Sequence, residues 1–202
     1  GAVSGPGTSR CTAGGTARGL NVASAANRNL LVGGCRWGDM ERVRAATDPG
    51  AFRTTAVDAP PGTRIPVVVE FDADPWRAYR RARGGDPSVF FETSGGSGGW
   101  SYFGVGPDRL FEVDGPGAFD AIREALSGEA LERGGCEVPY PGGLFGWLSY
   151  DAVREVEALP DDTVDDRGLP RLQLGRYPAV VAWREPHEGE TELRAVATPR
   201  VG

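Results

Sequence analysis

Glu92 and Thr93 are the residues of this sequence best placed to do chemistry. They close an aromatic run, Phe90-Phe91-Glu92-Thr93, and a Ser/Gly stretch at positions 94–99 separates them from a second run, Trp100-Ser101-Tyr102-Phe103-Gly104. Two aromatic strands joined by so many glycines read as a β-hairpin with a mobile connection. A carboxylate and a hydroxyl then stand at the strand end beside aromatic rings and pliable backbone. Such a mouth suits a small zwitterion: Glu92 would pair with an ammonium, Thr93 would hydrogen-bond, and the aromatic rings would pack against an apolar side chain. The same residues also fit an ordinary hairpin with a polar end, and residue chemistry alone favours that plainer reading.

Other candidates carry less. Asp161-Asp162 and Asp165-Asp166 offer oxygen ligands to a hard cation, but their spacing is not that of a calcium loop, and a solvated acidic loop is the expectation. His187 falls in a turn and reads as a surface imidazole. It is the only histidine, which makes a zinc site or a Ser-His-Asp triad improbable. Cys136 has no base near it in sequence, so it does not read as a nucleophile. Cys11, Cys35 and Cys136 form neither a spaced metal motif nor a disulfide framework. The glycine stretch lacks the Gly-Lys-Ser/Thr ending and the following helix that a phosphate loop needs.

The elements that must position these residues follow from periodicity. Ile65–Phe71 is a β-branched, apolar run and predicts a buried strand. Asp74-Pro75 opens a helix, with Asp as N-cap and Pro in the first turn, and Gly84-Gly85 ends it. Val89–Thr93 and Trp100–Val105 are the hairpin strands, and Arg109–Val113 is a short third strand. Phe119, Ile122 and Leu126 mark one face of a helix over 116–127. Leu144–Tyr150 is apolar on both faces and predicts a central strand. Glycines within and before it, at 142, 143 and 146, mark close backbone approach. Asp151 is placed to cap a short helix carrying Val153, Val156 and Leu159. Residues 172–183 and 191–198 predict strands around the turn Glu185-Pro186-His187-Glu188-Gly189-Glu190. Hairpins with few helices give an α+β fold with mostly antiparallel β-sheets.

Composition sets the outer bounds. The chain has 202 residues, 40% hydrophobic and 25% charged, which suits one soluble folded domain with a tail. Net charge is −6, and all 22 basic residues are Arg. That balance argues against a nucleic-acid partner, which needs a basic patch, and against an anionic membrane surface. No apolar run approaches the ~20 residues of a membrane span. With no signal-peptide hydrophobic region in the first 30 residues, a reducing cytoplasm is the expected compartment. Residues 1–39 lack helical or strand periodicity and carry net charge +3, whereas 40–202 carry −9. The only Met is Met40. Residues 1–39 are therefore expected to be a disordered or non-native leader, with 40–202 as the domain.

Two segments together carry a family resemblance. Besides Phe90–Thr93 and Trp100–Gly104, the run Gly142-Gly143-Leu144-Phe145-Gly146-Trp147-Leu148-Ser149-Tyr150-Asp151 is followed by Arg154, Glu157, Leu159-Pro160, Asp165-Asp166 and Leu169-Pro170. In order and spacing these resemble the N-terminal segment of anthranilate synthase component I, a chorismate-utilising family, over about residues 60–198. The resemblance implies a full-length enzyme that converts chorismate and ammonia to anthranilate and pyruvate. It implies a glutamine amidotransferase partner, Mg2+, and L-tryptophan as feedback inhibitor. It places the chorismate site and the magnesium ligands in a C-terminal chorismate-binding segment, without which this fold is incomplete and inactive, with open strand edges that favour aggregation. It places Glu92 and Thr93 on the Glu-Ser of the tryptophan site and Trp100 on a neighbouring lining position. Thr93 stands where Ser is usual and Trp100 where Tyr or Lys is common, so tryptophan affinity is the property these departures touch. Para-aminobenzoate synthase component I shares the fold and is the alternative family branch. A stand-alone amino-acid-binding module is the alternative of another class.

Overall fold

The computed structural model describes residues 43–94, 98–160, 164 and 167–202. The leader 1–39, Met40, both Asp pairs and the middle of the glycine stretch lie outside these residues. In chain order the elements are β1 (Arg44–Ala45), α1 (Pro49–Asp58), β2 (Val67–Ala73), α2 (Pro75–Ala82), β3 (Ser88–Phe91), β4 (Gly99–Val105), β5 (Arg109–Val113), α3 (Ala118–Leu126), β6 (Gly143–Leu148), a 3-10 helix (Tyr150–Glu155), β7 (Leu172–Tyr177), β8 (Ala179–Glu185) and β9 (Thr191–Ala197). Six strands form one sheet in the order β1-β2-β9-β8-β4-β3, and three form another in the order β5-β7-β6. Every ladder between these strands is antiparallel. The fold is α+β, as the hairpin-rich pattern implies.

Local sequence explains most of these boundaries. Asp74 caps α2 by accepting the Arg77 amide at 2.8 Å, with Pro75 in the first turn. Asp48-Pro49 repeats that device, accepting the Ala51 amide at 2.7 Å, and opens α1, a helix the periodicity reading passes over. In the large sheet the two-residue period of β4 splits its side chains. Phe103 and Val105 join Val181, Trp183, Leu193 and Tyr79 of α2 on one face. Trp100 and Tyr102 join Val68, Val180, Ala182, Val196 and Val138 on the other.

The sheets meet at Pro178. Residues 172–183 read as one strand, but the chain changes sheets there. β7 is the middle strand of the small sheet, whereas β8 lies inside the large one. A proline lacks the amide that a continuous ladder needs, so it suits the break. Tyr177, just before it, lies across two glycines. A Cβ on Gly104 or Gly175 would come within 2.8 or 2.7 Å of its ring.

β6 differs from expectation in position. It is an edge strand of the small sheet, not a central one. Its apolar faces are explained by the layers on either side of it. Leu144 packs toward Ala118, Leu172 and Leu174, while Phe145 meets the rings of Tyr177 and Tyr102 at 5.9 and 6.4 Å. The expected close backbone approach is present. A Cβ on Gly146 would lie 2.1 Å from the Gln173 carbonyl oxygen, and one on Gly142 would lie 2.8 Å from that of Tyr177.

Asp151 is not the cap of the helix that follows β6. Ser149 occupies that position without a side-chain hydrogen bond, and Asp151 pairs with Arg154 at 2.8 Å within the 3-10 turn. The capping carboxylate of this region is Glu155, which serves a different helix. It accepts the amides of Gly117 and Ala118 at 3.0 Å and of Phe119 at 3.4 Å, at the start of α3. Gly117 has no side chain for the task, so the carboxylate arrives from a distant element. The Ala118 amide, with those of Phe119 and Gly117 and the charge of Arg171, holds its carboxyl below the ordinary 4.5 despite desolvation.

Candidate functional site

The hairpin β3–β4 delivers Glu92 and Thr93 to one end of the large sheet. Pairing of β3 with β4 ends at Phe91, opposite Tyr102, and the two residues follow directly. Both are exposed. Thr93 is nonetheless fixed by two hydrogen bonds. Its hydroxyl donates to the Trp100 carbonyl at 2.8 Å, and its amide donates to Ser101 Oγ at 2.9 Å. Gly99 makes this possible, since a Cβ there would lie 2.7 Å from the Thr93 methyl. Thr93 and Trp100 are thus brought together through backbone. Among the described residues the Glu92 carboxylate has no ion-pair partner, which leaves it available to a cation.

Behind Thr93 lies a buried polar network. Ser101, fully buried, donates to Glu185 Oε1 at 2.9 Å, and the indole N–H of Trp183 donates to the same oxygen at 2.6 Å. His187 Nδ1 lies 2.8 Å from Glu185 Oε2. His187 is therefore not a free surface imidazole: the turn between β8 and β9 folds it onto a carboxylate that is itself only 8% exposed. Burial alone would raise the Glu185 carboxyl. The hydrogen bonds from His187, Ser101 and Trp183, with the charge of His187, outweigh it and hold the group below 4.5. Because Ser101 spends its one proton on Glu185, its lone pairs are left to receive the Thr93 amide.

Trp100 occupies the opposite face of β4. Its ring lies under two guanidiniums, Arg184 at 4.3 Å and Arg194 at 5.5 Å from the ring centre. Arg194 is held by Glu137 at 3.1 Å and by Glu70 and Glu192 at 3.2 Å. Arg184 has no carboxylate partner among the described residues. Next along this face is Tyr102, whose hydroxyl is buried without a hydrogen-bond partner among those residues. Burial pushes its pKa up, so it remains a neutral phenol.

Sequence reasoning found Glu92, Thr93 and Trp100 but passed over Ser101, Arg184 and Glu185. A signal was present. Ser101 alternates with the apolar residues of β4, and a Glu-Pro-His step follows Trp183 at two-residue spacing. Together the geometry supplies a fixed hydroxyl, an exposed carboxylate and a cation-capped indole at one sheet end. The exposed carboxylate can meet a cation. Among the described residues, no group of three or more His, Cys, Asp or Glu could hold a metal ion, and no helix is long and apolar enough to cross a membrane.

No family model matches the chain. Curated relatives do. Two proteins from Haloarcula marismortui, both named anthranilate synthase component 1, are 47% identical over 173 residues and 49% identical over 158. The matches cover 80% and 77% of this chain but 34% and 32% of those proteins. Anthranilate synthase component 1 of Mycolicibacterium smegmatis is 32% identical over 156 residues, covering 66% of this chain and 30% of the relative. The chain spans about a third of the length of the curated relatives it matches. At these levels of identity, the chain belongs, as a partial-length match, to the anthranilate synthase component 1 family.

Proposed function

We propose that this chain is the N-terminal, tryptophan-sensing part of an anthranilate synthase component I. In this reading the whole polypeptide converts chorismate, with ammonia or with glutamine through an amidotransferase partner (component II), to anthranilate and pyruvate. The reaction occurs in the cytoplasm. The chorismate site and its Mg2+ belong to the remainder of the polypeptide, and this chain alone is inactive. Its own role is to hold L-tryptophan at the Glu92–Thr93–Trp100 mouth and so report the level of end product.

The observation that carries this reading is the anchoring of Thr93 to Trp100 and Ser101, in a chain about half identical to the Haloarcula proteins. An exposed acid-hydroxyl pair at a strand end is ordinarily mobile. Here the hydroxyl residue is fixed at both its amide and its side chain, so it is preorganised to meet a ligand. Glu92 takes the ammonium, and the aromatic surface takes the indole.

The test is the product of the full-length gene. The expected result is anthranilate fluorescence from chorismate and ammonium with Mg2+, suppressed by L-tryptophan and relieved of suppression by Glu92→Gln. Formation of aminodeoxychorismate in its place would move the chain to the para-aminobenzoate branch. Anthranilate production by the 202-residue chain unaided would end the reading of it as a non-catalytic segment.

A further inference from the structure

Carboxylates outnumber guanidiniums over residues 40–202, where the net charge is −9. Arginines of this domain accordingly find acidic partners: Arg44, Arg64, Arg171, Arg176, Arg194 and Arg200 each pair with a carboxylate. Helix α2 is the exception. It carries Arg77, Arg80 and Arg81, with Arg83 at its C-cap, and no acid stands between Asp74 and Asp86. None of the four has a carboxylate partner among the described residues. At 3.6 residues per turn, Trp76, Arg80, Arg77 and Arg81 follow one another around the outward arc, with Arg83 at its margin. All five are exposed, while Pro75 and Tyr79 are buried on the opposite side.

Helix stability does not account for this pattern. Arg80 and Arg81 suit the last turn, at the negative end of the helix dipole. Arg77 stands in the first turn, where a cation is disfavoured, and it lies three and four residues from Arg80 and Arg81, spacings at which like charges repel. What the arrangement supplies is positive charge concentrated around a ring. Trp76 is 50% exposed, yet its ring is braced by Tyr79 at 5.4 Å and by Phe90, edge-on, at 5.2 Å. A braced aromatic surrounded by arginines has the composition of the centre of a protein interface.

The extent of the patch sets the chemistry of its partner. Eight helical residues span about 12 Å, and exposed Asp72 and Asp86 stand just before and just after them. Duplex DNA carries one charge per roughly 1.7 Å and would run off such a patch onto carboxylates. A short acidic stretch of polypeptide fits within it. We propose that the outward face of α2 is a docking surface for an acidic segment of a partner protein, whose carboxylates meet Arg77, Arg80 and Arg81 and whose apolar side chain rests on Trp76.

The experiment is fluorescence anisotropy of a labelled peptide, Glu-Glu-Leu-Glu-Glu-Asp, with the chain at low ionic strength. Its counterpart with Gly for Leu and a labelled twelve-residue oligothymidylate are measured beside it. The peptide is expected to bind wild type, and to bind more weakly as salt rises. Arg77→Gln/Arg81→Gln should weaken it about tenfold or more, and Trp76→Ala should weaken it too. Arg53→Gln/Arg123→Gln makes the same change in net charge outside α2 and should stay within about twofold of wild type. The Gly peptide should bind wild type more weakly than the Leu peptide, a comparison that needs no variant. Thermal melts confirm folding, and Arg77→Gln/Arg81→Gln should melt no lower than wild type, since it removes like-charge pairs. Absence of peptide binding by wild type overturns the proposal. So does an equal loss in the two double variants, or equal binding of the Leu and Gly peptides. Oligothymidylate binding as tight as the peptide's overturns it in favour of a nucleic-acid surface.

Discussion

Glu185 is the most demanding position for substitution, and replacing it by Leu separates hydrogen bonding from volume. Glu185→Leu leaves the Ser101 hydroxyl and the Trp183 indole N–H without an acceptor, and both residues are within 1% of full burial. An unsatisfied buried donor costs about 1–3 kcal/mol. Two of them give roughly 2–6 kcal/mol, a large share of the 5–15 kcal/mol that holds a typical domain together. Glu185→Gln behaves differently, because a single oxygen, Oε1, receives both donors. The amide oxygen of Gln can receive both as well, and its NH2 group can donate to His187 Nδ1. The cost is then the loss of charge assistance, about 1 kcal/mol. Urea denaturation followed by tryptophan fluorescence gives both values from the shift in midpoint. A second readout is the Thr93 amide, whose exchange should quicken in the Leu variant and stay slow in the Gln variant. Equal stability losses for the two variants, or a Leu variant within 1 kcal/mol of wild type, would refute the account of Glu185 as the acceptor that holds this sheet end. The pH dependence has a definite sign. The folded-state carboxyl lies below 4.5, so its contribution is present above the unfolded value and is lost as pH falls through the folded one. Glu185→Gln removes that part of the acid limb.

Three further outcomes follow from the packing. Gly146→Ala places a methyl 2.1 Å from a backbone oxygen that cannot rotate away; a cost of about 3 kcal/mol is expected, or a fall in Tm of roughly 6–12 °C, whereas Gly135→Ala, in open space, should melt with wild type. Glu155→Gln weakens the cap of α3, so the amides of Gly117, Ala118 and Phe119 should exchange faster. Its wild-type contribution should likewise fade as pH drops through a folded value below 4.5, and a pH-independent exchange pattern would contradict this. The chain should self-associate with rising concentration in sedimentation velocity, and Leu148→Lys, at the end of the uncharged edge strand β6, should reduce that association.

The sequence was informative wherever a local rule sufficed. Asp74-Pro75 marks a helix start from two residues, and the glycines near 146 mark backbone contact without any knowledge of the neighbour. The same rule applied to Asp48-Pro49 reveals α1, so that omission was one of reading. The position of β6 was not legible, because a half-buried edge strand with packing on both faces and a central strand produce the same apolar run. Nor was the break at Pro178, which lies between two stretches of equal strand character. Glu92 and Thr93 could be singled out as candidates because they are adjacent in sequence. Glu185 could not, since its partner Ser101 lies 84 residues away and only the pairing of β4 with β8 joins them.

That pairing also divides the labour at the sheet end. Successive residues of a strand face opposite ways, and both β4 and β8 end on an informative pair. Ser101 and Glu185 face the covered side and hold Thr93 in place. Trp100 and Arg184 face the other side, where the guanidinium lies over the indole ring. A slip of β4 against β8 by one residue would turn Ser101 away from Glu185 and Trp100 away from Arg184, breaking the holding network. The register is guarded from both sides. Gly99 is opposite Glu185, where a side chain would strike Thr93, and the large Trp183 is opposite the small Ser101. Substitutions at this end should therefore sort by strand face: those at Ser101 and Glu185 should cost more stability than those at Trp100 and the exposed Arg184.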